Sequence, residues 1–440
     1  MHVARRLFFI VCKLLSRVKL RHLCIGLGTV LILDYFGAFT HFFEVPYTDN
    51  FNYPYEGDIH EFISALRHNE KPEVPPINQY EYSFIHDIKD KCIDPESENL
   101  RVVILVKSAI ENSKRRTAIR NSWGFEKRFS DVPMRTIFLL GVHPDDEEST
   151  VAIEFESKKY QDIVQANFID AYYNNTIKTM IGFKWVMKYC SNSKFFMFVD
   201  DDMYVSVKNI LRFLRNPAFY PEYLTDAVKL RDVEHLKNRF KRSIPEEKTT
   251  INNSDSVNHL SESTHPVRVL DQRGDVKNAS DYISESLPAK NFKSLTDYKS
   301  RKKRQVFDFE LPDHVRLFSG YVFVSAPHRH KSSKWYVSLK EYPYHLWPPY
   351  VTAGSYILSK EALIDMYYAS MYTKHFRFDD IFLGIVAKKA GIEPFHCEEF
   401  HFYKKDYTRY NYKYVISSHG YDNPEELLHV WNEQKSLGNA

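Results

Sequence analysis

The sequence predicts an α/β domain built on a mostly parallel, doubly wound sheet. Three apolar runs have the character of buried strands, and helical stretches separate them. Strands that alternate with helices form βαβ units, in which neighbouring strands lie parallel. The strand runs are LRVVILVK (residues 100–107), MRTIFLLG (134–141) and KFFMFV (194–199). The helical runs are RRTAIRNSW (115–123), VAIEFESKKYQDI (151–163) and IKTMIGFKWVMKYC (177–190).

Three consecutive aspartates follow the third strand, in KFFMFVDDDMYV. Ligands of such sheets bind beyond the carboxyl ends of the strands, so Asp200, Asp201 and Asp202 lie where a site is expected. A D-x-D pair suits Mg²⁺ or Mn²⁺ shared with the phosphates of a substrate. If the strand continues, Asp200 and Asp202 point to one side and Asp201 to the other. On spacing alone, the triplet is also typical of a turn or a calcium-binding surface.

The second half of the domain opens with a further strand, LFSGYVFV (317–324). Residues 334–359 follow, and their Pro-Pro and Gly predict a shaped loop rather than regular structure. This stretch is rich in Trp and Tyr. We expect most of these aromatic side chains in the core and a few in a wall against which a sugar stacks.

The stretch FRFDDIFLGIVAKKAG (376–391) predicts a helix that begins with two carboxylates and ends at Gly391. One of Asp379 and Asp380 is expected to cap the helix. The other is then available as a general base, provided that it faces the same cleft as the metal. His419 is a possible nitrogen ligand, although a lone histidine is more often structural.

The amino-terminal residues have the pattern of a membrane anchor. Residues 1–22 are basic and contain no acid, and 23–39 are apolar apart from Asp34. Basic before apolar predicts a cytosolic tail, a single signal-anchor span and a translocated remainder. A cleaved signal peptide is the alternative. Residues 40–99 are rich in Pro and Tyr and are interpreted as a stem.

A polar insertion over residues 225–310 interrupts the domain that is predicted for 100–436. It lacks the apolar content to fold alone, so we expect it to be disordered. It contains the RKKR run at 301–304, which is either a processing site or a solvated charge run. Sequons at Asn174, Asn252 and Asn278 would be glycosylated in a secretory lumen.

Composition limits the possible functions further. The 440 residues carry a net charge of +3, and no basic stripe with interleaved aromatics indicates a nucleic-acid partner. Cys92, Cys190 and Cys397 would lie in the lumen, where they can form at most one disulfide, and the sequence leaves the pairing open.

Seven motifs in order along the chain resemble the β-1,3-glycosyltransferases of family 31. They are RRTAIRNSW, FLLG, YQDIVQANFIDAYYNNTIKT, FMFVDDDMYV, SKWYVSLKEYP, WPPYVTAGSYILS and FRFDDIFLGIVAKKAG. The similarity covers residues 20–45 and 100–436 without the insertion. It implies a GT-A fold, which is Rossmann-like, and a lumenal type II enzyme of the Golgi membrane.

The resemblance also implies roles for single residues. Asp200 and Asp202 would hold Mn²⁺ on the donor diphosphate, with His419 as a further metal ligand. Asp201 would contact the donor nucleotide or ribose, and Asp380 would be the catalytic base. The nucleotide-side motif of the family contains Arg116, Arg120 and Trp123. Asn174 corresponds to the glycosylated asparagine of the family.

The implied reaction is an inverting transfer from a UDP-sugar to the 3-hydroxyl of a β-linked sugar. GlcNAc is the expected donor sugar, and a mannose of a glycosphingolipid is the expected acceptor. Galactose and GalNAc donors are alternatives within the family. A metal-dependent phosphohydrolase and a non-catalytic carbohydrate-binding protein are the alternatives outside it.

Overall fold

The computed structural model describes residues 19–47, 51, 58–93, 99–129, 132–224, 268–270, 276–278 and 311–440. The chain divides into two units. One comprises Met1–Ile210 and Pro312–Ala440, and the other comprises Leu211–Leu311.

An eight-stranded mixed sheet forms the centre of the first unit. Its strand order is β1-β4-β3-β2-β5-β10-β9-β11. These strands are β1 (Phe84–His86), β2 (Leu100–Lys107), β3 (Met134–Val142), β4 (Ile163–Ile169), β5 (Ser193–Asp200), β9 (Phe318–Phe323), β10 (Tyr350–Ser359) and β11 (Phe395–His396). A second, three-stranded sheet contains β6 (Tyr204–Val205), β12 (Phe400–His401) and β13 (Ser417–Ser418).

The predicted mostly parallel sheet is confirmed in part: four inner strands are parallel and β11 pairs parallel with β9, whereas β1 and β10 run in the opposite direction. Strands β4, β3, β2 and β5 are parallel neighbours. Strands β10 and β9 continue the sheet in antiparallel fashion, and β1 pairs antiparallel with β4 at the opposite edge. The fold is therefore a mixed α/β architecture with one large mixed sheet.

Nine α-helices accompany these strands among the described residues. They are α1 (Leu20–Tyr35), α2 (His60–Arg67), α3 (Ser113–Arg120), α4 (Glu147–Tyr160), α5 (Asn175–Tyr189), α6 (Val207–Arg215), α7 (Lys360–Ser370), α8 (Asp379–Lys389) and α9 (Pro424–Ser436). Short 3₁₀ turns cover Thr40–Phe43, Glu126–Arg128, Tyr172–Asn174 and Pro217–Phe219.

Two sequence predictions of secondary structure fail for local reasons. Residues 151–163 were expected to be one helix, but α4 ends at Tyr160 because Gln161 takes a left-handed conformation with φ of 52°. Strand β4 then begins at Ile163. The loop expected over 334–359 contains strand β10, whose pairing with β9 shifts register between Val351 and Tyr356. A glycine, Gly354, is accommodated in that irregular segment.

Both faces of the central strands are buried, as expected for a doubly wound sheet. On β2, Val103 and Leu105 belong to a core shared with α5, α7 and α8. The alternate residues Val102 and Ile104 are also fully buried. Gly384 allows α8 to lie close to β10, since a Cβ atom at this position would lie 2.5 Å from the Cβ of Tyr350.

The amino-terminal region packs against the domain more closely than a stem would. Strand β1 joins the main sheet, and Ile59 and Ile63 are buried in the core. Arg329 pairs with Glu44 at 2.8 Å, with both side chains buried. Within the part of the chain that the structure describes, no helix has both the length and the apolar character needed to cross a membrane, and this includes α1 in the predicted span 23–39.

The second unit contains the whole of the predicted polar insertion, residues 225–310. Its β7 (Arg268–Leu270) and β8 (Val276–Asn278) pair antiparallel, and the sequon residue Asn278 ends β8. Asn252 and the RKKR run at 301–304 lie outside the described residues.

A disulfide joins Cys92 to Cys190, a pairing that the sequence left open. The bond connects the segment before β2 to the end of α5, across 98 residues. Cross-links over loops of this length restrict the unfolded chain strongly.

We expect Cys190→Ala to lower the free energy of unfolding by about 2–5 kcal/mol, because this restriction is lost. Urea denaturation of the two proteins measures the difference. Reductant should destabilise the wild type by a similar amount and leave the variant unchanged. Equal urea midpoints for wild type and variant without reductant would contradict a stabilising bond.

Candidate active site

The site begins with the neighbouring carboxyl ends of β2 and β5. These strands are parallel, and their register places Lys107 opposite Asp200. Both residues end their strands, so the ammonium and the carboxylate meet at one edge of the sheet. The distance from Lys107 Nζ to Asp200 Oδ1 is 3.0 Å.

Lys107 is a buried cation that connects four elements. Its Nζ also lies 2.8 Å from Asp379 Oδ2 at the start of α8 and donates to the carbonyl of Ala353 on β10 at 3.0 Å. Burial lowers the pKa of Lys107, but the two carboxylates outweigh this and hold the pKa well above its ordinary value. The side chain is therefore charged and uses all three of its N–H groups inside the protein.

The two aspartates at the start of α8 have different environments. The predicted helix cap is wrong for both, because the N-cap residue is Phe378 and no side chain caps this end. Asp379 is buried, pairs with Lys107 and accepts a hydrogen bond from Thr179 Oγ1 at 3.3 Å. Asp380 is half-buried and accepts the backbone N–H of Ile381 at 2.8 Å. Asp379 is thus enclosed by Lys107 and Thr179, whereas Asp380 remains partly exposed.

Burial raises the pKa of Asp380 to about 7, and the neighbouring charge of Asp379 raises it further while Lys107 lowers it. A carboxyl group with such a pKa changes its protonation near neutral pH. This value matches what a general base requires at physiological pH.

Asp201 is directed away from this network. Strand β5 ends at Asp200, so the expectation that the strand continues through the aspartates is wrong. Asp201 nevertheless contacts a different set of partners from those of Asp200 and Asp202. Three donors surround its carboxylate at 2.7–2.9 Å. They are Ser108 Oγ, Asn112 Nδ2 and Arg115 NH1. Asp201 is thereby fixed between β2 and the start of α3.

Asp202 and His419 are brought together by the small sheet. Strand β6 follows the aspartates, and its Tyr204 pairs with Ser418 of β13, the residue before His419. The imidazole Nε2 lies 3.3 Å from Asp202 Oδ2. Burial raises the pKa of Asp202, but the hydrogen bond from His419 outweighs it and leaves this pKa lowered. The same hydrogen bond raises the pKa of His419.

Whether these residues fit a divalent metal depends on which carboxylate oxygen atoms have no hydrogen-bond partner in the protein. Asp202 Oδ1 is buried and has no hydrogen-bond partner among the described residues. The described part of the chain contains no group of three or more His, Cys, Asp or Glu side chains that could hold a metal ion by themselves. Magnesium-like ions commonly bind through one or two carboxylates plus substrate phosphates. The residues around Asp202 fit that kind of shared coordination.

The three predicted nucleotide-side residues are scaffold residues in this structure. Arg116 is fully buried and donates to Glu156, Ser108 and the carbonyls of Ala109 and Ile110. It thereby shapes the loop after β2.

The other two residues of this motif are also held inside the protein. Arg120 is paired with Asp162 and lies over the ring of Tyr160 at 4.0 Å. Trp123 is buried and donates from Nε1 to the carbonyl of Met203 at 3.1 Å, which supports the turn after the aspartates.

Sequence reasoning missed Lys107 as a site residue. A lysine that ends an otherwise apolar strand was a signal, since a buried cation requires a buried anion. Arg115 was also missed: it is one-quarter exposed beside Asp201, one position before the predicted Arg116.

The aromatic residues of 334–359 divide as expected between core and surface. Tyr342 and Trp347 are buried, whereas Trp335 is 49% exposed. Trp335 Nε1 donates to the hydroxyl of Tyr172 at 3.3 Å, and the adjacent Tyr173 ring lies 6.3 Å from Phe378, just before α8. An exposed aromatic surface therefore adjoins the helix that carries Asp380.

Asn174 lies in this same region, between the exposed tyrosines and α5. Its Nδ2 donates to the carbonyl of Ile169 at 2.8 Å. Glycosylation of this residue stays a prediction.

Comparison with known proteins supplies the family. Residues 114–269 and 307–398 match the galactosyltransferase family. Beta-1,3-galactosyltransferase brn (Brainiac) of Drosophila melanogaster is 36% identical over 94% of this chain and 95% of that protein. Beta-1,3-galactosyltransferase 1 of Homo sapiens is 26% identical over 82% of this chain and 81% of that protein. A Xenopus tropicalis lactosylceramide 1,3-N-acetyl-beta-D-glucosaminyltransferase is 24% identical over 88% of this chain and 79% of that protein. The resemblance seen in the motifs is confirmed.

We expect Lys107→Met to lower the free energy of unfolding by roughly 3–5 kcal/mol, because two buried carboxylates lose their shared cation. Urea denaturation monitored by circular dichroism measures the change. The double variant Lys107→Met/Asp379→Asn should recover part of the loss.

Lys194→Met is the matched control for this substitution. Lys194 pairs with Asp313 at 3.4 Å on the surface, where an ion pair contributes at most about 1 kcal/mol. Equal effects of the two methionine substitutions would contradict the central role of Lys107.

Proposed function

Because this chain belongs to the galactosyltransferase family and is a β-1,3-glycosyltransferase, we propose that it transfers a hexose from a UDP-sugar with inversion at the anomeric carbon. The acceptor group is the 3-hydroxyl of a β-linked sugar. The observation that carries this proposal is the position of Asp380. Asp380 lies in the first turn of α8. Lys107 joins the start of this helix to the end of β5, where Asp200 is followed closely by Asp202.

Asp200, Asp202 and His419 are the residues that would hold Mn²⁺. The unpartnered Oδ1 of Asp202 supports this assignment, and so does the imidazole at 3.3 Å from its other oxygen. When bound, the ion would neutralise charge on the departing diphosphate as a Lewis acid.

Asp380 acts as the general base in the proposed reaction. The acceptor 3-hydroxyl oxygen forms a bond to the anomeric carbon while the bond from that carbon to the diphosphate oxygen breaks. The hydroxyl proton passes to the Asp380 carboxylate, and UDP leaves with the bonding electron pair. Asp379 and Lys107 hold the start of α8 in place, so that Asp380 keeps its orientation during the displacement.

The exposed aromatic surface supports a carbohydrate acceptor. Tyr172, Tyr173 and Trp335 are each about half exposed and adjoin α8 through Phe378. Aromatic rings offer apolar faces with polar edges, which suits the C–H faces and hydroxyl groups of a sugar. We assign this surface to the acceptor side of the site.

GlcNAc is the donor sugar that we propose, with a glycosphingolipid mannose as acceptor. The relative named as a lactosylceramide N-acetylglucosaminyltransferase supports a GlcNAc donor and a lipid-linked acceptor. Galactose is the second candidate, because the Drosophila relative is named as a galactosyltransferase. A few hydrogen bonds to the C2 and C4 substituents would separate these donors.

We further propose a lumenal enzyme of the Golgi membrane, with the amino-terminal region as its anchor. The disulfide between Cys92 and Cys190 supports an oxidising compartment. The exposed apolar side chains of α1, such as Ile25 and Leu31, support contact with lipid.

We expect the full chain, purified in mild detergent with Mn²⁺, to transfer sugar from UDP-GlcNAc to a β-mannoside. Asp380→Asn should lower the rate by about 10²–10⁴-fold, since the proton acceptor is lost. Asp202→Ala and removal of divalent metal by EDTA should each abolish transfer. Product analysis after incubation with a panel of UDP-sugars measures donor choice.

Asp313→Asn is the matched control, because this carboxylate is 86% exposed on the surface. Transfer from UDP-Gal alone would replace the donor and keep the mechanism. Release of UDP at the same rate without acceptor would favour a phosphohydrolase, and bound UDP without turnover would favour a carbohydrate-binding protein.

The rate of transfer should rise as the pH increases through about 7, because burial raises the pKa of both Asp380 and Asp200 to about 7 and keeps both carboxyl groups protonated below that value. The midpoint is measured from initial rates at low substrate concentration. A range from about pH 5.5 to about pH 8.5 extends more than one pH unit to each side of it. Asp379→Asn removes a charge that raises the pKa of Asp380, so its midpoint should fall. A flat profile in the wild type would contradict the assignment of Asp380 as base.

A further inference from the structure

A separate cavity of about 460 Å³ lies at the carboxyl end of α3. The amino end of this helix faces the candidate active site through Asn112 and Arg115, which contact Asp201. Eight helical residues span about 12 Å, so the cavity lies about that distance from the aspartates along the helix. Its lining comes from the end of α3, the following 3₁₀ turn and α9.

The cavity is lined by cations and aromatic rings. Arg120, Lys127, Arg128 and Lys435 contribute the positive charges, and no carboxylate is among the described lining residues. Arg120 is neutralised, since it is paired with Asp162 and Glu156. Arg128 donates from NH2 to the main-chain oxygen of Ala440. Lys127 and Lys435 form no ion pair with a carboxylate in the part of the chain that the structure describes, so the charge around this space remains positive.

Two buried N–H donors in this lining lack an acceptor. They are Nε of Arg128 and Nε1 of Trp431, neither of which has a hydrogen-bond partner among the described residues. Trp431 is 97% buried, with only 3% of its surface exposed. An unsatisfied buried donor costs about 1–3 kcal/mol, which an acceptor atom of a ligand would offset.

The aromatic ring of Trp431 holds two of the cations beside the cavity. The Arg128 guanidinium lies 4.9 Å from the ring centroid and the Lys435 ammonium 5.2 Å. Cation–π contacts of this kind restrict side chains that would otherwise be mobile in water. The positive charges are therefore positioned before any ligand arrives.

We propose that this cavity binds a phosphate or sulfate group, either as a free anion or as the headgroup of an anionic lipid. Arginine and lysine together bind tetrahedral oxyanions through several charge-assisted hydrogen bonds. The unpaired N–H groups of Arg128 and Trp431 are additional donors to the oxygen atoms. The site is independent of the transfer reaction, since none of its residues contacts Asp202, Asp380 or His419.

Isothermal titration of the full chain with inorganic phosphate and with sulfate tests this proposal. EDTA is included so that no divalent metal contributes to binding. We expect saturable binding that Lys127→Glu/Lys435→Glu weakens at least about tenfold, or about 1.4 kcal/mol. Both lysines are exposed, so the substitutions should leave the fold intact.

Lys71→Glu/Lys340→Glu is the matched control, because it makes the same charge change at two exposed lysines elsewhere. It should retain the wild-type affinity. Equal weakening in both double variants would show a general charge effect and overturn the proposal. Absence of saturable binding to phosphate, to sulfate and to vesicles that contain phosphatidic acid would also overturn it.

Vesicles distinguish the two sources of the anion. Binding of the wild type to vesicles that contain phosphatidic acid is compared with binding to phosphatidylcholine vesicles, which corrects for the apolar α1 helix. A preference for phosphatidic acid that Lys127→Glu/Lys435→Glu removes would assign the site to a lipid headgroup. Phosphate binding without such a preference would assign it to a free anion. Sugar transfer by this variant should be unchanged, so the test is separate from that of the enzymatic activity.

Discussion

The interaction of Lys107 with Asp200 and Asp379 is the constraint on which the arrangement of the site depends. The lysine ends β2, the two carboxylates belong to β5 and α8, and the third N–H contacts β10. A buried cation between two carboxylates is stable only when all three groups are in place. Both strand ends and the start of α8 are therefore fixed together. The position of Asp380 follows from that of Asp379, the residue before it.

The residues around this network divide into support and chemistry. Arg116 shapes the loop after β2, and Trp123 supports the turn after Asp202. Asp201 is enclosed by donors from the loop after β2 and from the first turn of α3. Asp202 has a carboxylate oxygen without a hydrogen-bond partner, and the side chains of His419 and Asp380 are partly exposed. These three groups are the ones proposed to take part in the reaction.

Much of the fold could be predicted from local sequence, because the apolar run 100–107 matches β2 residue by residue and the run 194–199 lies within β5. Strand β10 could not, since Pro348 and Pro349 precede it and Gly354 interrupts its pattern. The placement of the aspartates at a strand end was also accessible. For Lys107, its position at the end of an apolar strand indicated a buried cation, but its partners could not be predicted, because they depend on which strand lies beside β5. Motif spacing likewise did not reveal that Arg116 and Trp123 point inward.

The disulfide between Cys92 and Cys190 acts at a distance from the chemistry. It joins the segments that lead into β2 and β5, at the opposite edge of the sheet from Lys107 and Asp200. A slip of one residue between these strands would turn Lys107 toward the other face of the sheet. By tying the two strand entrances, the bond reinforces the alignment of charges at their exits. Reduction of this bond would therefore loosen the alignment of Lys107 with Asp200, because it would release the register of the two strands that carry them.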